Sequence, residues 1–111
     1  MTETYSDRDV LLLELGFHNY SDYLRSELWI GIRTRAYEAH GNDCYLCKGA
    51  AVVVHHISYC RTVLLGEDLS KLVPLCDGCH YKVEFDKRDN KRSLEAARAA
   101  FYKLMPRRKK R

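Results

Sequence analysis

The sequence predicts a small α+β domain: a core of two strands and a helix, stapled by a four-cysteine zinc site and flanked by N-terminal and C-terminal helices. Three observations carry this expectation. Two Cys-x2-Cys pairs, Cys44/Cys47 and Cys76/Cys79, sit at the centre of a 111-residue chain. Two short runs of β-forming residues follow the first pair and precede the second, and on either side the apolar residues recur at helical spacing. A domain of this length buries roughly two-thirds of its unfolded surface, so a metal cross-link adds stability that a modest core supplies sparingly.

In chain order, residues 1–20 form an N-terminal segment. Its first nine residues are polar and expected to fray, whereas Val10 to Phe17 is an apolar run that Gly16 can end as a helix C-cap, packed as a lid on the core. The central unit spans residues 21–86. A helix runs from Ser21 or Ser26 to His40: Ser26 is suited to the N-cap, Trp29, Ile32, Arg33, Ala36 and Tyr37 fall at three- and four-residue steps, and Gly41 ends it. Leu28, Trp29, Ile32 and Ala36 are its expected buried stripe. Arg25, Arg33 and Arg35 read first as a solvated face and second as phosphate contacts.

Asn42 to Gly49 is a turn carrying the first cysteine pair. Ala50 to Ile57, with three valines in succession, predicts a buried strand that closes on the doublet His55-His56. Residues 58–71 read as irregular. Leu72 to Leu75 is a second strand, placed at an edge because Pro74 cannot donate to a ladder. A helix from Gly78 to about Asp86 starts inside the second knuckle. Residues 87–111 form a basic C-terminal segment, with a helix over Ser93 to Leu104 and a tail from Pro106 to Arg111. No internal repeat is visible.

The net charge of +4 conceals an asymmetry. Residues 87–111 hold 11 of the 19 Lys and Arg but only two acids, which makes this segment +9 and the remainder −5. A basic tail on a mildly acidic body is the footprint of a polyanion binder, most simply nucleic acid. Five cysteines is an odd number, and no basic leader followed by a cleavage site precedes them, so a reducing cytoplasm and a metal are expected rather than disulfides. The run Val10 to Leu15 contains Glu14 and is too short to span a bilayer, so no membrane partner is expected.

Zinc prefers four tetrahedral sulfur or nitrogen ligands, and each Cys-x2-Cys turn chelates with two. Cys44, Cys47, Cys76 and Cys79 are therefore the expected ligands of a structural zinc ion, and Cys60 reads as a buried apolar filler. The 28 residues between Cys47 and Cys76 exceed the gap of a simple zinc ribbon, so further machinery is inserted there. On a strand, His55 and His56 face opposite sides and cannot both ligate one ion. His80 and Glu84, four residues apart, share one face of a helix. His55, His80 and Glu84 can thus form a second, open metal site, with His56 free as a base near neutral pH.

These residues resemble the HNH endonuclease family, also called the ββα-metal or His-Me finger nucleases. The matching text is Cys44-x2-Cys47, then Val54-His55-His56-Ile57-x-Tyr59, then Leu72-x2-Leu75-Cys76-x2-Cys79-His80, about 40 residues in all. The stretch Tyr23-Leu24-x-Ser26-x2-Trp29-x2-Ile32-Arg33 is similar to the helix that often precedes this motif. The resemblance implies that His55 and His80 ligate a catalytic Mg2+ or Mn2+ ion, that His56 is the general base for water, and that the products carry 5′-phosphate and 3′-hydroxyl ends. Two positions depart from the family pattern. Lys71 stands five residues before Cys76 where Asn is common, and Glu84 stands where His or Asn is common. Glu84 can ligate a hard cation through oxygen. An ammonium at Lys71 only donates hydrogen bonds, so its expected role becomes phosphate binding, shared with the tail Arg107, Arg108, Lys109, Lys110 and Arg111 and with Arg61, for which a surface salt bridge is the equal alternative.

The expected function is a metal-dependent endonuclease acting on DNA, with RNA left open. The alternative is a catalytically inactive zinc-knuckle module that only grips nucleic acid. A weaker third is an adaptor whose tail docks an acidic protein.

Overall fold

Side-chain caps decide where the helices begin. In the computed structural model, which describes residues 3–106, Thr4 opens α1 (Tyr5–Glu14) with a reciprocal cap: its hydroxyl accepts from Asp7 N at 3.1 Å, and the Asp7 carboxylate accepts from Thr4 N at 3.1 Å. The helix therefore starts five residues before the expected Val10, because two orphan N–H groups are satisfied there. Gly16, at φ +98°, turns the chain out of it as expected. Asn19 caps the short α2 (Tyr20–Leu24), and Ser26 caps α3 (Glu27–His40), its Oγ accepting from Trp29 N at 3.1 Å. In α3, Trp29, Ile32 and Ala36 are buried as expected, while Leu28 is half-buried.

The sheet has two antiparallel strands, β1 (Val53–His56) and β2 (Leu72–Leu75), paired Val53 to Leu75, Val54 to Pro74, His55 to Val73 and His56 to Leu72. Alternation of side chains divides the interior into two cores. Val54 and Leu72 join Trp29, Ile32 and Ala36 of α3 and Leu12 of α1 on one face. Val73 and Leu75 join Val83, Ala97 and Phe101 on the other, where α5 (Asp77–Glu84) and α6 (Leu94–Leu104) pack. The connection expected to be irregular contains α4 (Arg61–Leu64) and a 3₁₀ turn (Leu69–Lys71), which bury Val63 and Leu64 beneath α3. No helix of the described residues is long and apolar enough to cross a membrane.

Gly66 turns this connection back at φ +76°, and a Cβ there would stand 2.6 Å from Ile32 Cγ1 and 2.6 Å from Arg35 Nη2. Gly66→Ala is expected to cost about 2–5 kcal/mol. Left-handed backbone with a Cβ costs about 1–2 kcal/mol, and overpacking against Ile32 adds about 1–3. Urea unfolding measures it, and a wild-type midpoint would contradict the close approach.

The N-terminal and C-terminal segments are tied together over the end of β1. Glu3 accepts from Tyr59 N at 3.0 Å and pairs with Arg98, whose Nε donates to Ile57 O at 3.0 Å. The tail residues Arg107 to Arg111, expected to contact phosphate, lie outside the described residues.

Candidate metal centres and the cavity beside them

The first knuckle is a tight turn in which Lys48 adopts a left-handed conformation, φ 70°. That twist lets Gly49 N donate to Cys47 Sγ at 3.4 Å, and Cys79 N donates to Cys76 Sγ at 3.4 Å in the second knuckle. Such N–H donors favour thiolates over thiols. The knuckles meet because Tyr45 N donates to Pro74 O at 2.8 Å, joining the first turn to β2. All four Sγ atoms lie within 4.8 Å of one another. The Cys47 and Cys76 sulfurs are 3.7 Å apart, far beyond a disulfide bond and close to the roughly 3.8 Å edge of a zinc tetrahedron with 2.3 Å bonds. Burial raises the Cys44 thiol, but backbone donors outweigh it and bring it down to about 6; burial and the three neighbouring cysteines hold Cys79 well above its ordinary value. Sulfurs this crowded share negative charge poorly without a cation between them, and the donor set fits zinc.

Cys60, expected to be buried, is instead exposed: it occupies the N-cap position of α4 with its sulfur 3.4 Å from Thr62 Oγ1. Its place in the turn that opens α4, outside the strands and the buried helix faces, leaves it exposed.

The histidine doublet splits across the sheet as alternation requires. His55 turns toward α5 and α6, where its ring meets His80 edge-on at 5.3 Å and lies over Phe101 at 5.8 Å. One ligand atom each from His55, His80 and Glu84 lies within 4.8 Å of the others. His55 Nδ1 and Glu84 Oε2 are 3.6 Å apart, too far for a hydrogen bond and well suited to two ligands of one ion. The other carboxylate oxygen of Glu84 is held by Lys91 Nζ at 2.5 Å. Burial pushes His55 down to about 4, with the carboxylate of Glu84 opposing and the charges of His80 and Lys91 adding, so its imidazole is neutral and able to ligate at neutral pH.

His56 turns toward α3 and is 2 % exposed. Its ring is sandwiched between Trp29 at 4.7 Å and Tyr59 at 4.9 Å, both close to parallel. Its Nδ1 is 3.1 Å from the Tyr20 hydroxyl, and its buried Nε2 has no hydrogen-bond partner. Burial, followed by the charges of His55, Arg8 and His80, pushes its pKa down to about 3, which keeps the ring neutral. Both halves of the doublet line one cavity of about 470 Å³, together with His80, Glu84, Tyr20 and Trp29.

Three cations also line that cavity: Arg8 of α1, Arg33 of α3 and Lys91. Neither Arg61 nor Lys71, chosen from the sequence as phosphate contacts, is among its lining residues. Arg61 is exposed on α4 with Nη1 3.9 Å from Glu14, and Lys71 closes the 3₁₀ turn, its carbonyl accepting from Ile57 N at 2.8 Å. Sequence reasoning missed Arg8, Tyr20 and Lys91. The only local signal was aromatic and basic residues spaced three apart around Tyr5 and Arg8, a weak one.

The chain is thus a small α+β domain with a four-cysteine cluster at metal-binding distance, consistent with a structural zinc site. It matches no family model, no curated protein and no solved structure.

Proposed function

We propose that this protein is a metal-dependent, HNH-type endonuclease that hydrolyses DNA phosphodiester bonds, with His56 as general base. The observation that carries the proposal is that His56, whose buried Nε2 has no hydrogen-bond partner, lines the same cavity as His55, His80 and Glu84. An unsatisfied buried nitrogen is costly, and a reacting water would supply its missing partner.

The chain's own residues divide the work as follows. With Nδ1 protonated and donating to the Tyr20 oxygen, Nε2 carries the lone pair. It takes a proton from water, whose oxygen forms a bond to phosphorus as the bond to the 3′-oxygen breaks; that oxygen leaves protonated by solvent, and the 5′-phosphate stays on the other strand end. Trp29 and Tyr59 hold the imidazole plane, so the base is oriented before substrate arrives. A divalent ion such as Mg2+ or Mn2+ held by His55, His80 and Glu84 would stabilise charge on the phosphate and on the departing oxygen. Lys91, on the second oxygen of Glu84, keeps the first one turned toward His55.

The test is nicking of supercoiled plasmid by the zinc-loaded protein with magnesium or manganese. Tyr20→Phe is expected to lower kcat by about 10- to 100-fold, part of the 10²–10⁴ that a positioned base contributes, with KM little changed. Steady-state kinetics checks it, and a wild-type kcat would remove Tyr20 from the base's support.

One observation favours a second reading. Lys91 Nζ already supplies Glu84 with a cation at 2.5 Å. A non-enzymatic zinc-knuckle module needs nothing more at this position, and it predicts salt-dependent DNA binding without cleavage in any divalent ion.

A further inference from the structure

We propose that Arg8 contacts the scissile phosphate, which makes the N-terminal helix a working part of the active site; this rests on the nuclease reading above. The Arg8 guanidinium lies over three tyrosine rings, 4.2 Å from Tyr20, 4.9 Å from Tyr5 and 5.1 Å from Tyr59. Its side chain is only 14 % exposed, and among the described residues its one salt bridge is to Asp9, itself 55 % exposed, through Nε at 3.0 Å. Aromatic faces compensate part of the desolvation of a guanidinium, but they leave the two Nη groups without an anion to fork onto. Arg8 lines the cavity of His56.

Two residues connect Arg8 to the base directly. Tyr20 lies beneath the guanidinium and meets His56 Nδ1 at 3.1 Å, and Tyr59 lies beneath the guanidinium and stacks on the His56 ring at 4.9 Å. Arg8 and His56 therefore line one cavity, together with His55, His80 and Glu84. Helix α1 is held in register with this space by Glu3, which accepts from Tyr59 N and Ser58 Oγ and pairs with Arg98. The other two cations on the cavity are differently employed: Lys91 is engaged by Glu84, and Arg33 is exposed with Nη2 3.3 Å from Val52 O. A phosphodiester whose non-bridging oxygens fork onto Arg8 would sit with phosphorus beside the attacking water. The bidentate fit and preorganised charge are what favour the transition state there.

The test uses the full, zinc-loaded chain. Plasmid nicking in magnesium gives kcat and KM, and binding of a short DNA duplex in calcium at several salt concentrations gives the slope of log K against log salt. Arg8→Gln is expected to lower kcat about 10²-fold and to reduce the salt slope by about 1, the loss of one phosphate contact. A purely structural role would lower the melting temperature and leave the slope unchanged. A folded Arg8→Gln with wild-type rate and slope overturns the assignment and leaves the nuclease reading standing. Wild-type protein that binds the duplex without cutting it overturns the nuclease reading, and the slope then decides alone whether Arg8 meets phosphate. Should Arg8→Gln fail to fold, Arg8→Lys keeps a cation over the rings but lacks the fork: a reduced rate supports the contact and a wild-type rate overturns it.

Discussion

His56→Ala is expected to abolish plasmid nicking while each chain keeps its zinc. The expected loss is about 10²–10⁴-fold, the contribution of a positioned general base. His56 contributes no ligand to either ion cluster, so metal content is the internal control. Because the ring fills the gap between Trp29 and Tyr59, its removal also leaves a void, and large-to-small core changes cost about 2–5 kcal/mol. His56→Gln, closer in volume and still polar, separates the two effects: it should fold with zinc bound and remain inactive. Wild-type rates in either folded variant would end the assignment of His56. The depressed basicity of the free imidazole is compatible with this role, since an arriving phosphodiester brings negative charge that favours the imidazolium.

Loss of the four-cysteine cluster is expected to unfold the domain. Structural zinc is worth on the order of 10 kcal/mol in small domains, and a domain of this size has a total stability of about 5–15 kcal/mol. Chelation of zinc, or Cys76→Ser, is therefore expected to remove most of the cooperative unfolding transition. Cys76→Ser is the informative variant, because Cys76 also caps α5 by accepting from Cys79 N, and a serine hydroxyl can still do so. What it removes is a metal ligand alone. Metal analysis should fall from one zinc per wild-type chain, and circular dichroism should show lost helix; a folded, zinc-free variant would refute a structural ion.

The parts of the molecule legible in the sequence are those specified by local spacing. The two knuckles, the caps at Ser26 and Gly41, the strand at Leu72–Leu75 and the splitting of His55 from His56 all follow from periods of two to four residues, and each is found. The start of α1 was legible too, in Thr4 and Asp7, but the polar composition around them masked it. Residues whose role depends on distant packing were not legible. Tyr20 reaches His56 across 36 residues of sequence, and Lys91 reaches Glu84 around a turn closed by Asp86, whose carboxylate accepts from Arg88 N and Asn90 N. Lys71 stands out in the sequence by its motif position five residues before Cys76, and Arg61 by lying in the connection after the histidines. The helix and 3₁₀ turn that replaced an expected irregular loop carry them away from the cavity.

Helix α5 joins the two clusters along a single rigid rod. Its first turn carries Cys79 behind the Cys76 cap, and the same eight residues present His80 and Glu84 to His55. Adjacent positions on one helix cannot be ordered separately. Zinc in the knuckles therefore lowers the entropy that any ion must overcome to gather His80 and Glu84, and thermodynamic reciprocity requires an ion at His55 to tighten zinc by the same factor. Were both clusters to hold ions, the two centres would behave as one heterotropic pair.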